Sequence, residues 1–369
     1  MVITAHADHV GSLLRPADLL TARDARTDGR LGPAAFKQIE DRAVRSVVAL
    51  QEAAGMPVLT DGELRRESFQ SELTAACSGF SGVSIDAWLW GEWHSEAVGD
   101  LTIERPEQLA VTAPIRKLRS LAAEEFTFLR SITDRTTKVT LPSPSLFANL
   151  WSPELSREAY PTVDGFLADV TEILSDEVRE LARLGCMYVQ LDAPHYPLLI
   201  EAPWRAFYET RGWTTEAWLS RGIELDNAVI GSAPGITFGF HLCRGNQGSR
   251  WLVSGDYEPI AAQVLGGVRA DRLLLEYDDE RSGGFEPLTH VRPDAMVMLG
   301  LVTTKTSRVE TVDELRSRVM DASAFVPLER LGVSTQCGFS TSVVGNSVTE
   351  DDERRKLGTI ADAAEAIWG

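Results

Sequence analysis

Short apolar runs that end in polar or charged residues recur eight times along this chain, at residues 2–6, 57–60, 138–141, 187–191, 236–240, 273–275, 296–301 and 332–335. Runs this short read as buried strands rather than helices. Between most of them lies a segment with helical periodicity. Ile39, Ala43, Val47 and Leu50 share one face, with Gly55 as a stop. Phe166, Val170, Ile173, Leu174, Val178 and Leu181 share another, ending at Gly185. Thr311-Val312-Asp313-Glu314 has the form of a capping box opening a helix after the seventh strand. Eight strands alternating with helices predict an α/β fold of the (β/α)8 TIM-barrel type, with the polar strand ends forming the site. A doubly wound sheet is the competing architecture, but no dinucleotide fingerprint accompanies the strands.

With no repeat, low-complexity tract or linker, residues 1–369 are expected to form a single catalytic barrel domain. Two stretches exceed a plain barrel and predict excursions after strands 2 and 4. Residues 79–115, rich in Gly, Ser and Trp (Trp88, Trp90, Trp93), are expected to form a hairpin insertion over the barrel mouth. Residues 195–230 hold His195, Trp204, Trp213 and Trp218 in a long insertion. These aromatics are expected to pack the excursions onto the barrel, with lining of a substrate channel as the alternative.

The polar strand ends carry the chemistry. His241, Cys243, Glu276 and Cys337 each sit at or just beyond the end of a predicted strand. Two soft sulfurs, one imidazole and one carboxylate make a complete tetrahedral Zn2+ ligand set. Their wide separation excludes a local zinc knuckle. The other two cysteines, Cys77 in a helical context and Cys186 just before a strand, read as structural. Two thiolates and a carboxylate outweigh Zn2+, giving a formal site charge of about −1. Such a zinc is a poor activator of water, but it still lowers the pKa of an incoming thiol and leaves the sulfur electron-rich. Thiol alkylation fits this donor set better than hydrolysis.

Composition narrows the partners. The chain has 54 Asp and Glu against 36 Lys and Arg, a net charge of −18, which argues against nucleic acid or an anionic membrane as partner. Four cysteines are too few for a disulfide scaffold, and no apolar run approaches the roughly 20 residues of a membrane span. The N-terminal residues do not read as a signal peptide, so a cytoplasmic enzyme is expected.

Taken together, HVGSLLRP, TDGELRRESF, QLDAPHY, HLCRGN, LLEYDDERSGGFEPL, GLVTTK and QCGF resemble the cobalamin-independent methionine synthase family. The likeness is to its short members, which correspond to the catalytic C-terminal barrel, and it runs from about His6 to the last helix. It implies a zinc-dependent methyltransferase that carries a methyl group to homocysteine. By motif, His241, Cys243, Glu276 and Cys337 match the family's zinc ligands, and Gly11 and Ser12 match a Gly-Ser that contacts the amino-acid carboxylate. Glu63 and Asp192 match two acids that bind the substrate ammonium, for which paired carboxylates are chemically suited. Their bland alternative is a structural ion pair with Arg65 or Arg66.

Departures bear on the methyl donor. The long members carry a second barrel that helps to bind folate, and place a histidine after the seventh strand as a proton shuttle. Here the local match is Thr304-Lys305-Thr306, making Lys305 the nearest equivalent, with Arg308 as a following anion contact and a solvated rim lysine as the alternative reading of Lys305. A methyl-tetrahydrofolate donor needs protonation of its leaving nitrogen, whereas a methyl-corrinoid, free or protein-bound, does not. Among His6, His9, His195 and His290, His195 is the best placed for proton transfer, three residues after Asp192.

Three other functions compete. A related branch opens epoxides with the thiol coenzyme M; arginines such as Arg15, Arg65 or Arg244 converging on the pocket would favour it. A structural zinc protein predicts a closed metal site. A zinc hydrolase is disfavoured by the ligand charge.

Overall fold

The computed structural model describes residues 3–81, 89–105 and 109–369; Val2, in the first predicted run, and Trp88 lie outside these. Twelve strands occur among the described residues: β1 (Val58–Leu59), β2 (Cys77–Phe80), β3 (Gly91–Trp93), β4 (Leu101–Ile103), β5 (Val111–Lys117), β6 (Thr136–Thr137), β7 (Val139–Pro142), β8 (Tyr188–Asp192), β9 (Thr237–Leu242), β10 (Arg272–Glu276), β11 (Met296–Val302) and β12 (Leu331–Thr335).

The architecture is mixed α/β. β7 to β12 form one sheet in sequence order, with every pairing parallel. β1 pairs in parallel with β6, which precedes β7 by one residue. The first predicted run is reduced to a single parallel bridge, Ala7 with Val333 of β12. β8, β9, β10 and β12 are buried along their whole length, as parallel strands covered on both faces must be. The register carries three functional candidates to one end of the sheet. Asp192 lies opposite His241, His241 opposite Leu274, and Glu276 two residues beyond Leu274.

Helices cover this sheet through the faces their periodicity marks. In Val163–Leu184 the buried residues include Phe166, Val170, Leu174, Val178 and Leu181. The Thr162 hydroxyl accepts from Gly165 N at the start, and Gly185 takes the left-handed conformation at the end. Thr311 and Glu314 form a reciprocal capping box at the start of Val312–Ala322. No helix among the described residues is long and apolar enough to cross a membrane.

The segment between β1 and β6 forms two antiparallel ladders, β2 with β5 and β3 with β4. His94 and Trp251 exchange backbone hydrogen bonds of 2.8 and 3.0 Å, tying the β3–β4 hairpin to the loop after β9. The segment after β8 contains helices His195–Leu198, Ala202–Glu209 and Thr215–Ile230. Its tryptophans pack inward on the fold: Trp204 against Trp90 (5.2 Å between ring centroids) and Trp213 against Trp218 (4.5 Å).

The C-terminal helix Glu350–Trp368 docks with an unusual contact. Glu353, 1% exposed, accepts from Leu14 N at 2.9 Å, while its Oε2 has no partner among the described residues. Burial pushes its carboxyl up to about 8. Between pH 4.5 and 8 the unfolded chain has lost this proton while the folded chain keeps it, so this group makes stability fall as pH rises. The slope is at most about 1.4 kcal/mol per pH unit for one group. Glu353→Gln keeps the acceptor oxygen and removes the titration. Its melting temperature should exceed that of the parent by several degrees at pH 8 and match it near pH 5. An equal difference at both pH values would show that charge is not the cause.

Candidate metal centre and active site

The end of β9 and the loops after β9 and β12 bring together His241, Cys243 and Cys337, all buried, with potential ligand atoms within 4.8 Å of one another. Cys243 is held toward its thiolate, while the hydrogen bond to Cys243 and burial push the Cys337 thiol up. His241 Nδ1 lies 3.0 Å from the Leu274 carbonyl oxygen, which requires Nδ1 to carry the proton. In the neutral ring Nε2 then holds the lone pair, and this buried atom has no hydrogen-bond partner among the described residues. Burial lowers the ring's pKa, but Cys243 and Asp192 outweigh burial and raise it. The sulfurs of Cys243 and Cys337 are 3.0 Å apart. The hydrogen bond they share holds Cys243 down at about 6, and Gly245 N donates to the Cys243 sulfur at 3.1 Å. A buried orphan imidazole nitrogen facing two sulfurs, one with thiolate character, fits a borderline-soft divalent cation.

Glu276 ends β10 beside this group, but its oxygens are otherwise engaged. Oε2 accepts from Arg244 N at 2.7 Å; Oε1 accepts from Lys305 Nζ and Arg281 Nη2, each at 3.1 Å. Burial would raise its pKa, yet Lys305, Arg281 and Arg244 outweigh burial and hold it at about 2.

A cavity opens from the two sulfurs, with Ser12, Glu63, Trp93, Asp192 and Asn246 among its walls. Glu63 adopts φ 58°, uncommon for a non-glycine residue, at the tight turn after β1. Its Oε1 accepts from the Thr140 hydroxyl at 2.6 Å, and its Oε2 is buried without a partner among the described residues. Burial pushes Asp192 up to about 7, opposed by His241 and reinforced by the Glu63 carboxylate. Neither acid is closed by an arginine: Arg65 pairs with Asp41 (2.6 Å) and Arg66 with Glu125 (2.7 Å). Two buried carboxylates on one cavity wall make a receptor for a cation.

The loops fit closely here. Gly11 has φ 143°, and a Cβ on it would come within 2.7 Å of Thr140 Cγ2. A Cβ on Gly338 would lie 1.8 Å from Ser12 Oγ, so a glycine after Cys337 lets that loop rest on Ser12. Phe339 N donates to the Ser12 carbonyl at 2.9 Å.

The sequence profile of the cobalamin-independent synthase catalytic domain matches residues 3–365. The chain belongs to the cobalamin-independent methionine synthase family. It is 31% identical over 98% of its length to the uncharacterised protein YxjH of Bacillus subtilis (strain 168), covering 94% of that protein. A methionine synthase of Pyrococcus abyssi is 26% identical, over 89% of this chain and 85% of the relative. Among solved structures, one from Listeria monocytogenes assigned to the vitamin-B12-independent methionine synthases superposes with a TM-score of 0.75 at 26% identity, covering 100% of this chain and 99% of its own.

Within this family fold, the remaining candidates take different places. His195 does not line the cavity. Its Nε2 lies 2.8 Å from the Ser145 hydroxyl and its ring packs on Tyr196 and Trp218, so burial pushes it down to about 3. This placement does not support the expected proton transfer at the site: the ring is kept neutral by burial and is not among the residues lining the cavity, while its Nδ1 has no partner among the described residues. Lys305 is no solvated rim residue; it is 6% exposed and bound to Glu276 and Asp278 (3.5 Å). Arg308 pairs with Glu314 on the surface. His6 stacks on Trp368 and His290 faces Glu258, while His9 is buried with its imidazole pushed down to about 4. None of these three lines the cavity. Gln70 and Asn246, given no role from sequence, do line it, as does Trp93, one of the excursion aromatics for which channel lining was the alternative reading. Asn246 stands in the HLCRGN motif and was open to detection; the polar cavity role of Gln70 had no local signal.

Proposed function

We propose that this chain is a zinc-dependent methyltransferase that carries a methyl group to the sulfur of homocysteine, yielding methionine, on a single (β/α)8 barrel with the β2–β5 excursion over its mouth. The observation that carries this reading is one cavity lined by His241, Cys243 and Cys337 together with Glu63 and Asp192. His241, Cys243, Cys337 and Glu276 would hold the zinc. When bound, the metal supplies a centre at which an incoming thiol deprotonates near neutrality and stays nucleophilic.

The chain's own residues bind and orient the substrate. Glu63 and Asp192 take its ammonium by charge-assisted hydrogen bonds. Gly11 and Ser12, at the turn packed against the Cys337 loop, take its carboxylate. The sulfur is thereby directed at the Cys243 and Cys337 side of the cavity. The donor is a methyl-tetrahydrofolate or a methyl-corrinoid. Lys305, tied to Glu276 and Asp278, is not free to act as the acid a folate nitrogen requires, which favours the corrinoid. Localisation in the cytoplasm accords with reduced, metal-ligating thiols.

Charge placement separates this reading from the coenzyme M branch. Arg15 donates to the carbonyls of Ser340, Ser342, Glu63 and Arg66; Arg244 donates to those of Gly255, Glu276 and Ser282. Neither they nor Arg65 line the cavity, so no guanidinium awaits a sulfonate. A thiol titration of the zinc-loaded and cobalt-substituted protein tests the proposal. Homocysteine should produce a new metal–sulfur charge-transfer band and coenzyme M none. A band with coenzyme M alone would overturn the acceptor, and a band with neither thiol would point to a closed structural site.

A further inference from the structure

β7 and β8 pair with Thr140 opposite Gln190 and Pro142 opposite Asp192. Side chains alternate along a strand, so Lys138 and Thr140 share a face, as do Gln190 and Asp192. All four are buried. Along this face run two relays of the same form.

In the first, Lys138 Nζ donates to Asp8 Oδ1 and Gln190 Oε1, each at 2.8 Å, and to the His9 carbonyl. An ammonium has only donors, so it fixes the amide oxygen of Gln190 toward itself. The amide nitrogen must then face the other way, where Nε2 donates to the Val10 carbonyl and to Asp192 Oδ1, both at 2.7 Å. In the second, Arg66 Nη1 donates to Thr140 Oγ1 at 3.0 Å, which leaves the hydroxyl proton for Glu63 Oε1 at 2.6 Å. Each cation is matched by an acid of its own, Lys138 by Asp8 and Arg66 by Glu125.

The order in both is cation, neutral side chain, one oxygen of a cavity carboxylate. A lysine or arginine placed directly on Glu63 or Asp192 would neutralise it and occupy the oxygens a ligand needs. A hydroxyl or amide, polarised from behind, orients the carboxylate and leaves its charge uncompensated. Resting on the reading that these acids receive the ammonium of an amino-acid thiol, we infer that Thr140 and Gln190 are positioning residues that set selectivity for thiols bearing an amino group. They hold Glu63 Oε1 and Asp192 Oδ1 and leave the second oxygen of each for the ligand.

The test compares homocysteine with 4-sulfanylbutanoate, the same thiol without its amine, by calorimetry on the zinc-loaded protein. Thr140→Val and Gln190→Met should weaken homocysteine binding at least about tenfold and the amine-free thiol by less than about twofold. Thr140→Ser, which retains the hydroxyl, should bind homocysteine like the parent. If Gln190→Met does not fold, the Thr140 pair of variants decides the matter alone. Equal weakening of both thiols, or parental selectivity in Thr140→Val, overturns the inference while leaving the ammonium reading in place. A parent protein that binds both thiols equally overturns the ammonium reading itself, and this inference with it.

Discussion

Replacing Cys337 with serine is expected to strip the metal site and, with it, thiol methyl transfer. A thiolate is a soft, anionic donor well matched to zinc, whereas a serine hydroxyl stays protonated near neutrality and binds it weakly. The variant would keep His241 and Cys243, but Glu276, the remaining candidate, is held by Lys305, Arg281 and Arg244 N. Two ligands and a distracted carboxylate do not make a tight site. The loss of affinity should exceed the roughly 10–100-fold that follows removal of a partner outside the ligand set. Zinc content by elemental analysis after dialysis should fall from about one ion per chain to a small fraction. The melting temperature should change little more than for any buried Cys→Ser, because one continuous apolar core surrounds the sheet without help from a metal. Cys186→Ser is the matched control. Cys186 is also buried, but its sulfur donates to the carbonyl of Tyr188 at the start of β8 and burial pushes its thiol up to about 12. That variant should keep its zinc. Stoichiometric zinc and full activity in Cys337→Ser would remove this sulfur from the proposed ligand set.

Asp192→Asn should be the second most damaging change, and its signature differs. The substitution preserves shape and removes the charge proposed to face the substrate ammonium. Breaking a buried, hydrogen-bonded charge pair from one side costs about 2–5 kcal/mol. This corresponds to roughly 30- to 5000-fold weaker binding. The lower end is expected, because Glu63 remains and an amide still offers an oxygen. The effect should appear in the KM for homocysteine and leave zinc content unchanged, the reverse of the Cys337→Ser pattern. Binding of 4-sulfanylbutanoate should be unaffected or tighter, since a buried carboxylate with no cation beside it is unfavourable. A variant that loses both thiols equally would show that Asp192 serves the metal ligands, through its neighbour His241, rather than the ammonium.

The strands and their polar ends were legible in the sequence because burial on both faces writes itself as a short apolar run, and because a parallel strand delivers its last residue to the same end as its neighbours. His241, Cys243 and Cys337 were visible for a related reason: sulfur and imidazole in those positions are chemically scarce, and residue type alone restricts what they can do. The first run was less reliable. Among the described residues its backbone meets β12 only around Ala7, where the His6 carbonyl accepts from Val333 N and Asp8 N donates to the Val333 carbonyl, since the chain there turns into the Gly11–Ser12 loop instead of continuing a ladder.

What sequence could not settle was the state of each side chain, which depends on partners remote along the chain. Lys305 read as a rim residue or a proton donor until Glu276 and Asp278, 29 and 27 residues away, were found beside it. His195 stood three residues from Asp192, yet a helical turn aims it at Ser145 and Trp218. Thr140 and Gln190 carried no chemical signal, because a hydroxyl and an amide acquire a role only once the register of β7 and β8 sets them between a buried cation and a cavity acid. Residue type and periodicity, which are local, determined the layered fold and the candidate metal-binding donors. Hydrogen-bond direction, protonation and which oxygen is left open are properties of packed neighbours, and only the tertiary structure decided them.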